Sequence, residues 1–154
     1  MANHPNQSDR FPAVTIDPAA APTIDVPIRR RAIAFESGLI GCPTWRNFVL
    51  EPEAAGAHIH TLRCLDEDGI ALYVADPFII RPDYEFEIGD SDAEALGITD
   101  PGDVLVLVVL TVRADPPEIT ANLIGPLLVN NRTGRGRQLV LTSDTYSTRA
   151  VVSA

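Results

Sequence analysis

Residues 104–112 read Val-Leu-Val-Leu-Val-Val-Leu-Thr-Val, a run with one polar position. Such a run has no polar face to offer to water. β-Branched side chains crowd a helix and fit a pleated strand. The run therefore predicts a strand buried on both faces and placed centrally in its sheet.

The remainder supplies short strands punctuated by turn residues. Apolar stretches predict strands at 32–35, 47–51, 57–65, 70–75, 119–123, 127–131 and 138–142, with a last one around 146–151. Tyr84, Phe86 and Ile88 alternate with Glu85 and Glu87, the pattern of a half-buried strand. Asp66-Glu67-Asp68-Gly69 predicts a hairpin turn, and Asp76-Pro77 breaks the strand before it. Ser91-Asp92-Ala93-Glu94 resembles a capping box and Gly97 a stop, delimiting about two helical turns. Strand after strand with one short helix predicts an all-β fold, a small antiparallel β-barrel-like domain or a sandwich. That domain is expected to span residues 28–154. Residues 1–27 carry Pro5, Pro12, Pro18, Pro22 and Pro27 without any period, which predicts a disordered or extended tail.

Residues 121–141 predict a hairpin: two apolar runs, 127–129 and 139–141, flanking a loop with Gly134 and Gly136. Pro126 cannot donate to a ladder, so it is expected to open its strand or lie on an edge. Asn122, Asn130 and Gln138 stand at the ends of apolar runs, where a primary amide can satisfy loose backbone groups. None of these is a nucleophile or a strong acid or base. The stretch reads as architecture or contact surface.

Forty-five per cent hydrophobic content supports a folded chain. The net charge is −9, and all twelve basic residues are arginine. Phosphate repels an acidic chain, so direct nucleic-acid binding is not expected, whereas a basic protein is a plausible partner. No apolar run approaches the roughly 20 residues of a membrane helix. Residues 1–21 lack the pattern of a signal peptide, so the expected location is cytoplasmic. Cys42 and Cys64 lack metal-type spacing and are expected to be reduced thiols.

Among chemically active residues, His58, His60 and Cys64 share a face of one strand and would suit a metal, but Leu62 sits between them. A small-ligand or metal-binding β-barrel built on these three is the alternative function. Asp76 before Pro77 is expected to form a turn by side chain to backbone bonding. Ser37, Ser91, Ser143 and Ser147 lack a nearby histidine, and no phosphate loop is present. The chain is therefore expected to be no enzyme and to need no cofactor. Charge is concentrated instead. Asp66, Glu67 and Asp68 form one cluster, and eight carboxylates with no basic residue lie between Asp83 and Asp103, including Asp90, Asp92 and Glu94. Arg132, Arg135 and Arg137 decorate the last hairpin, and Arg29-Arg30-Arg31 a predicted strand edge.

The motifs resemble those of the FliW family of flagellar assembly factors. Ala121-Asn122-Leu123-Ile124-Gly125-Pro126, then Asn130 and Gln138-Leu139-Val140-Leu141, resemble its "N-L-x-A-P-[IV]-x-[IV]-N … G-x-Q-[VI]-[VI]-L" signature. Phe35-Glu36-Ser37-Gly38-Leu39-Ile40-Gly41 is similar to its "F-x-E-G-[IL]-x-G-F" opening, with the acid one place early. Phe48 and Leu50, then Leu62 and Leu65, fit the next strands. Leu72 to Pro77 with Pro82, Asp83 and Tyr84 is similar to "F-x-V-x-D-P … P-x-Y". The pieces run in order from about residue 33 to 149. Cys42 replaces the usual Phe and Gly125 the usual Ala. The resemblance implies a compact antiparallel barrel. It also implies binding to CsrA, a small basic RNA-binding dimer, and to flagellin, so that repression of flagellin translation is relieved.

Overall fold

A computed structural model describes residues 14–19, 30–53 and 58–152. The strands are β1 (Val14–Ile16), β2 (Arg31–Phe35), β3 (Asn47–Pro52), β4 (Ile59–Cys64), β5 (Ala71–Ala75), β6 (Phe86–Ile88), β7 (Val104–Ala114), β8 (Pro117–Ala121), β9 (Leu127–Asn130), β10 (Arg135–Gln138) and β11 (Ala150–Val151). Two helices, α1 (Pro77–Ile80) and α2 (Asp90–Leu96), fall between β5 and β7. The strands β7-β5-β4-β3-β2-β10-β9 hydrogen-bond in that order, and β9 returns to β7. This closes a seven-strand barrel, so the fold is mostly β, as expected. Every joint of the ring is antiparallel except that between β2 and β10.

Strand β7 is central, and its two faces serve two cores. Leu107 faces inward with Ile33, Phe35, Phe48, Leu50, Leu62, Val74, Leu127 and Val129 to fill the barrel. Val104, Val106, Val108 and Leu110 alternate with that set and face outward. The outward face is covered by β1, β6, α2 and the carboxy-terminal segment, through Ile16, Tyr84, Ile88, Leu96, Ile98 and Leu139. Burying one such aliphatic side chain stabilises by about 1.5–3 kcal/mol, so both layers are substantial.

Strands β8 and β9 run together as one antiparallel partner of β7, interrupted once. Ala121 faces Leu110 and Leu127 faces Leu107, so residues 122–126 stand opposite two residues of β7. This bulge carries the chain from the outer layer into the barrel wall. Pro126 therefore opens β9, where its missing donor is harmless.

Three sequence expectations need correction. Val14–Ile16 is no tail: it pairs with Phe86–Ile88, and Val14 and Ile16 are only 3% and 0% exposed. Three residues give too short a pattern to stand out among prolines, and their partner is far away in sequence. The rest of the expected tail lies outside the described residues, apart from residues 17–19. Second, the Gly/Arg-rich "loop" is itself β10, three residues earlier at its start than the strand expected over 138–142. Gly136 permits this, because a Cβ there would meet the buried Phe35 ring at 2.7 Å. The turn at Asp76-Pro77, by contrast, forms as expected, by side chain to backbone bonding. Asp76 Oδ1 accepts the Phe78 N–H at 2.9 Å and caps the single helical turn α1. Finally, Ser91 to Glu94 is no capping box. The cap of α2 is Gly89, without a side-chain bond, and Ser91 lies within the helix, while Gly97 does end it.

Candidate functional site

Most motif residues prove to be internal clamps. Asn122 Oδ1 accepts the N–H groups of Ile124 (3.1 Å) and Gly125 (2.9 Å), closing the bulge. Gln138 Nε2 donates to Gly125 O at 3.0 Å, and its Oε1 accepts the Ile40 N–H at 2.8 Å. Asn130, 1% exposed, donates to Leu96 O at 2.7 Å and accepts from Arg132 and Thr133, tying α2 to the β9–β10 turn. Tyr84 is fully buried, and its hydroxyl donates to Leu123 O at 2.7 Å. Burial pushes that phenol up, far from any proton-transfer role. Gly38 has φ +69°, and a Cβ there would meet the Pro43 backbone at 2.4 Å, so only glycine fits. Gly41 turns back at positive φ beside the Leu39–Cys42 bridge. Leu65, assigned to a strand from the sequence, lies just beyond β4 and is 57% exposed.

The acidic residues divide between structural and free roles. At the β4–β5 tip, Asp66 Oδ2 accepts the N–H groups of Arg46 (2.7 Å) and Asn47 (2.6 Å), and Oδ1 accepts the Asn47 side chain. The Asn47 backbone bond, first among these, holds the Asp66 carboxyl below the usual range. Glu67 accepts a long bond from Trp45 Nε1 at 3.4 Å. Asp68 has no partner among the described residues and is exposed. On α2, Asp92 pairs with Arg137 Nε at 3.3 Å, while Asp90 and Glu94 are exposed and unpaired. Loop 36–46 touches both sets. Trp45, Arg46 and Asn47 hold the tip, and Glu36 and Ser37 line a cleft of about 240 Å³ with Ala95 and Leu96 of α2. Ile40 on this loop is 58% exposed.

The expected basic surface does not stand apart. Arg132 pairs with Asp103 at 3.9 Å, Arg135 with Glu36, and Arg137 with Asp92. Arg31 bonds Asn131 Oδ1 at 2.7 Å and lies in β2, which is no edge, and Arg30 faces Glu51. Arg29 lies outside the described residues. Each arginine of the hairpin is thus next to a carboxylate, and the free charge left over is negative.

The histidine strand does not assemble a metal site among the described residues. His58 is exposed, whereas His60 is 3% exposed and stands between Pro52 of β3 and Val74 of β5. Cys64 lies four residues farther along β4, about 13 Å away at strand rise. Both cysteines are free thiols. Burial lowers the His60 pKa, partly opposed by Glu53, and neither ring nitrogen has a hydrogen-bond partner among the described residues. Burial likewise raises the Asp76 carboxyl.

The sequence model of the family described as "FliW protein" matches residues 14–152. "Flagellar assembly factor FliW" of Treponema pallidum (strain Nichols) is 36% identical over 117 residues, covering 76% of this chain and 77% of that protein. The Bacillus subtilis (strain 168) protein of the same description is 34% identical, covering 76% and 82%. The solved "Crystal structure of the flagellar assembly factor FliW" superposes with a TM-score of 0.70 at 28% identity, over 80% of this chain and 86% of that one. The family match begins at Val14, the first residue of β1, and so takes in the strand that the sequence placed in a tail. The chain belongs to the FliW family of flagellar assembly factors.

Proposed function

We propose that this protein is a non-enzymatic, cytoplasmic binding protein that engages CsrA and flagellin, and thereby relieves CsrA repression of flagellin translation. The family supplies the setting of flagellar assembly. The observation that carries the choice of a basic partner is the placement of unpaired carboxylates. Asp68 at the hairpin tip and Asp90 and Glu94 on α2 are exposed and have no partner among the described residues. Exposed charge of one sign speeds encounter with the opposite sign and selects against acidic competitors. A nucleic acid would meet repulsion on the same surface. No helix is long and apolar enough to cross a membrane among the described residues.

Calorimetric titration with CsrA and with flagellin from the same host tests this. Direct, RNA-independent heats are expected from both, with dissociation constants of about 1 µM or below, near −8 kcal/mol. Absence of binding to either protein would sink the assignment.

A further inference from the structure

A groove of about 730 Å³ opens between β6 and the segment that follows β10. Its walls include Glu85, Phe86 and Glu87 on one side, and Leu139, Val140 and Leu141 on the other, with Tyr146 at one end. The first wall is a strand edge, and the second is a segment outside any strand whose alternate N–H groups are bonded. On the first, β6 pairs with β1 along one side alone. The Tyr146 hydroxyl accepts the Glu85 N–H at 3.0 Å and donates to Glu85 O at 3.2 Å, so the Glu85 backbone points into the groove. Backbone direction alternates along a strand, so Glu87 turns its N–H and C=O the same way. On the second wall, Leu139 and Leu141 donate to Pro126 O and Ile124 O at 2.9 and 2.8 Å. The same alternation turns Val140 away from them and toward the groove. Val140 is 63% exposed, and no hydrogen bond among the described residues engages its backbone or the groove side of Glu87.

We propose that this groove accepts an extended segment of another protein as an added strand between Glu87 and Val140, with lysine or arginine alternating with apolar residues. Main-chain bonds to the β6 edge and to the facing segment would supply affinity, and alternate side chains the choice of ligand. The inward positions meet Phe86, Leu139, Leu141 and Tyr146, which belong to the outer core. The outward positions run beside Glu85 and Glu87, whose carboxylates have no partner among the described residues. Asp92 adds a third carboxylate, though Arg137 already holds it. A segment with acidic outward residues would be repelled. The inference goes beyond the binding of CsrA or flagellin, since the groove's demand is the same whichever protein supplies the strand.

The probe is a blocked peptide of alternating valine and lysine, titrated into the isotopically labelled full chain and followed by amide resonances. Saturable shifts centred on Glu87, Val140 and Thr142 are expected, with slowed amide exchange at Glu87 and Val140. The valine–glutamate peptide should bind at least about tenfold more weakly. Val140→Pro removes the N–H at the proposed ladder position and should weaken binding by about tenfold or more. Glu85→Gln/Glu87→Gln leaves every backbone bond in place, and should weaken binding several-fold at low salt and little at high salt. Shifts centred elsewhere, equal binding of the two peptides, or indifference to both variants would overturn the proposal. So would a concentration-dependent dimer that buries Glu87 and Val140, which would make a second copy the occupant.

Discussion

Asn122, Asn130, Gln138 and Tyr84 are visible as motif residues, and each spends its polar atoms on backbone groups at an awkward place in the fold. That a primary amide at the end of an apolar run serves the backbone is legible from the sequence. Which backbone it serves is not, because Leu96 and Leu123 reach Asn130 and Tyr84 only after the long excursion between β5 and β7 closes over the barrel. His60 is the opposite case, a buried polar ring that serves nothing among the described residues. Its folded-state pKa lies below 6.5, so the unfolded chain binds a proton more readily. The contribution of the neutral ring is therefore complete above about pH 6.5 and is lost as pH falls below that value. Urea denaturation at about pH 7.5 and about pH 5.5 should show the loss, a window above the ordinary carboxylate range. His60→Leu should keep or raise stability at the higher pH, since it deletes two unpaired polar atoms, and should flatten the difference between the two.

At the scale of the element, β1 carries the sharpest prediction. Ile16 is fully buried against the outer core, so Ile16→Ala should cost about 2–5 kcal/mol in urea unfolding. A disordered tail would give a change within about 0.5 kcal/mol. The elements that could be read in advance share one property: their signal is local. The two-faced run of β7 and the alternation of Tyr84, Phe86 and Ile88 announce themselves within nine and five residues. β1 and β10 have no such local signal. Val14–Ile16 is a strand only because Phe86–Ile88 offers an edge, and Arg135–Gln138 only because Gly136 lets Phe35 lie against it. The start of α2 at Asp90, rather than after Ser91, has a related reason. A capping-box pattern is satisfied by residue type alone, whereas Gly89 caps by backbone geometry.

Over the whole molecule, charge is what the sequence reported best in amount and worst in arrangement. Acidic and basic stretches well separated along the chain meet at the β10 hairpin and neutralise one another, leaving Asp68, Asp90 and Glu94 unpaired. Replacing these three with Asn or Gln should slow association with CsrA several-fold and leave dissociation nearly unchanged, read by stopped-flow mixing. The difference should shrink toward high salt, as the screening length falls to about 3 Å at 1 M. Asp66 and Asp92 are kept in this variant, because their loss would loosen the tip and release Arg137. The one parallel joint of the ring, Ala34 beside Arg135 and Phe35 beside Gly136, has a consequence for synthesis. Strands far apart in the sequence, β2 and β10, must meet before the barrel exists. A chain still emerging from the ribosome can form the β2–β5 meander but cannot close it, and that sheet keeps two open edges until β9 and β10 arrive. Closure therefore waits for β10, and until then the nascent sheet is exposed to edge-to-edge aggregation.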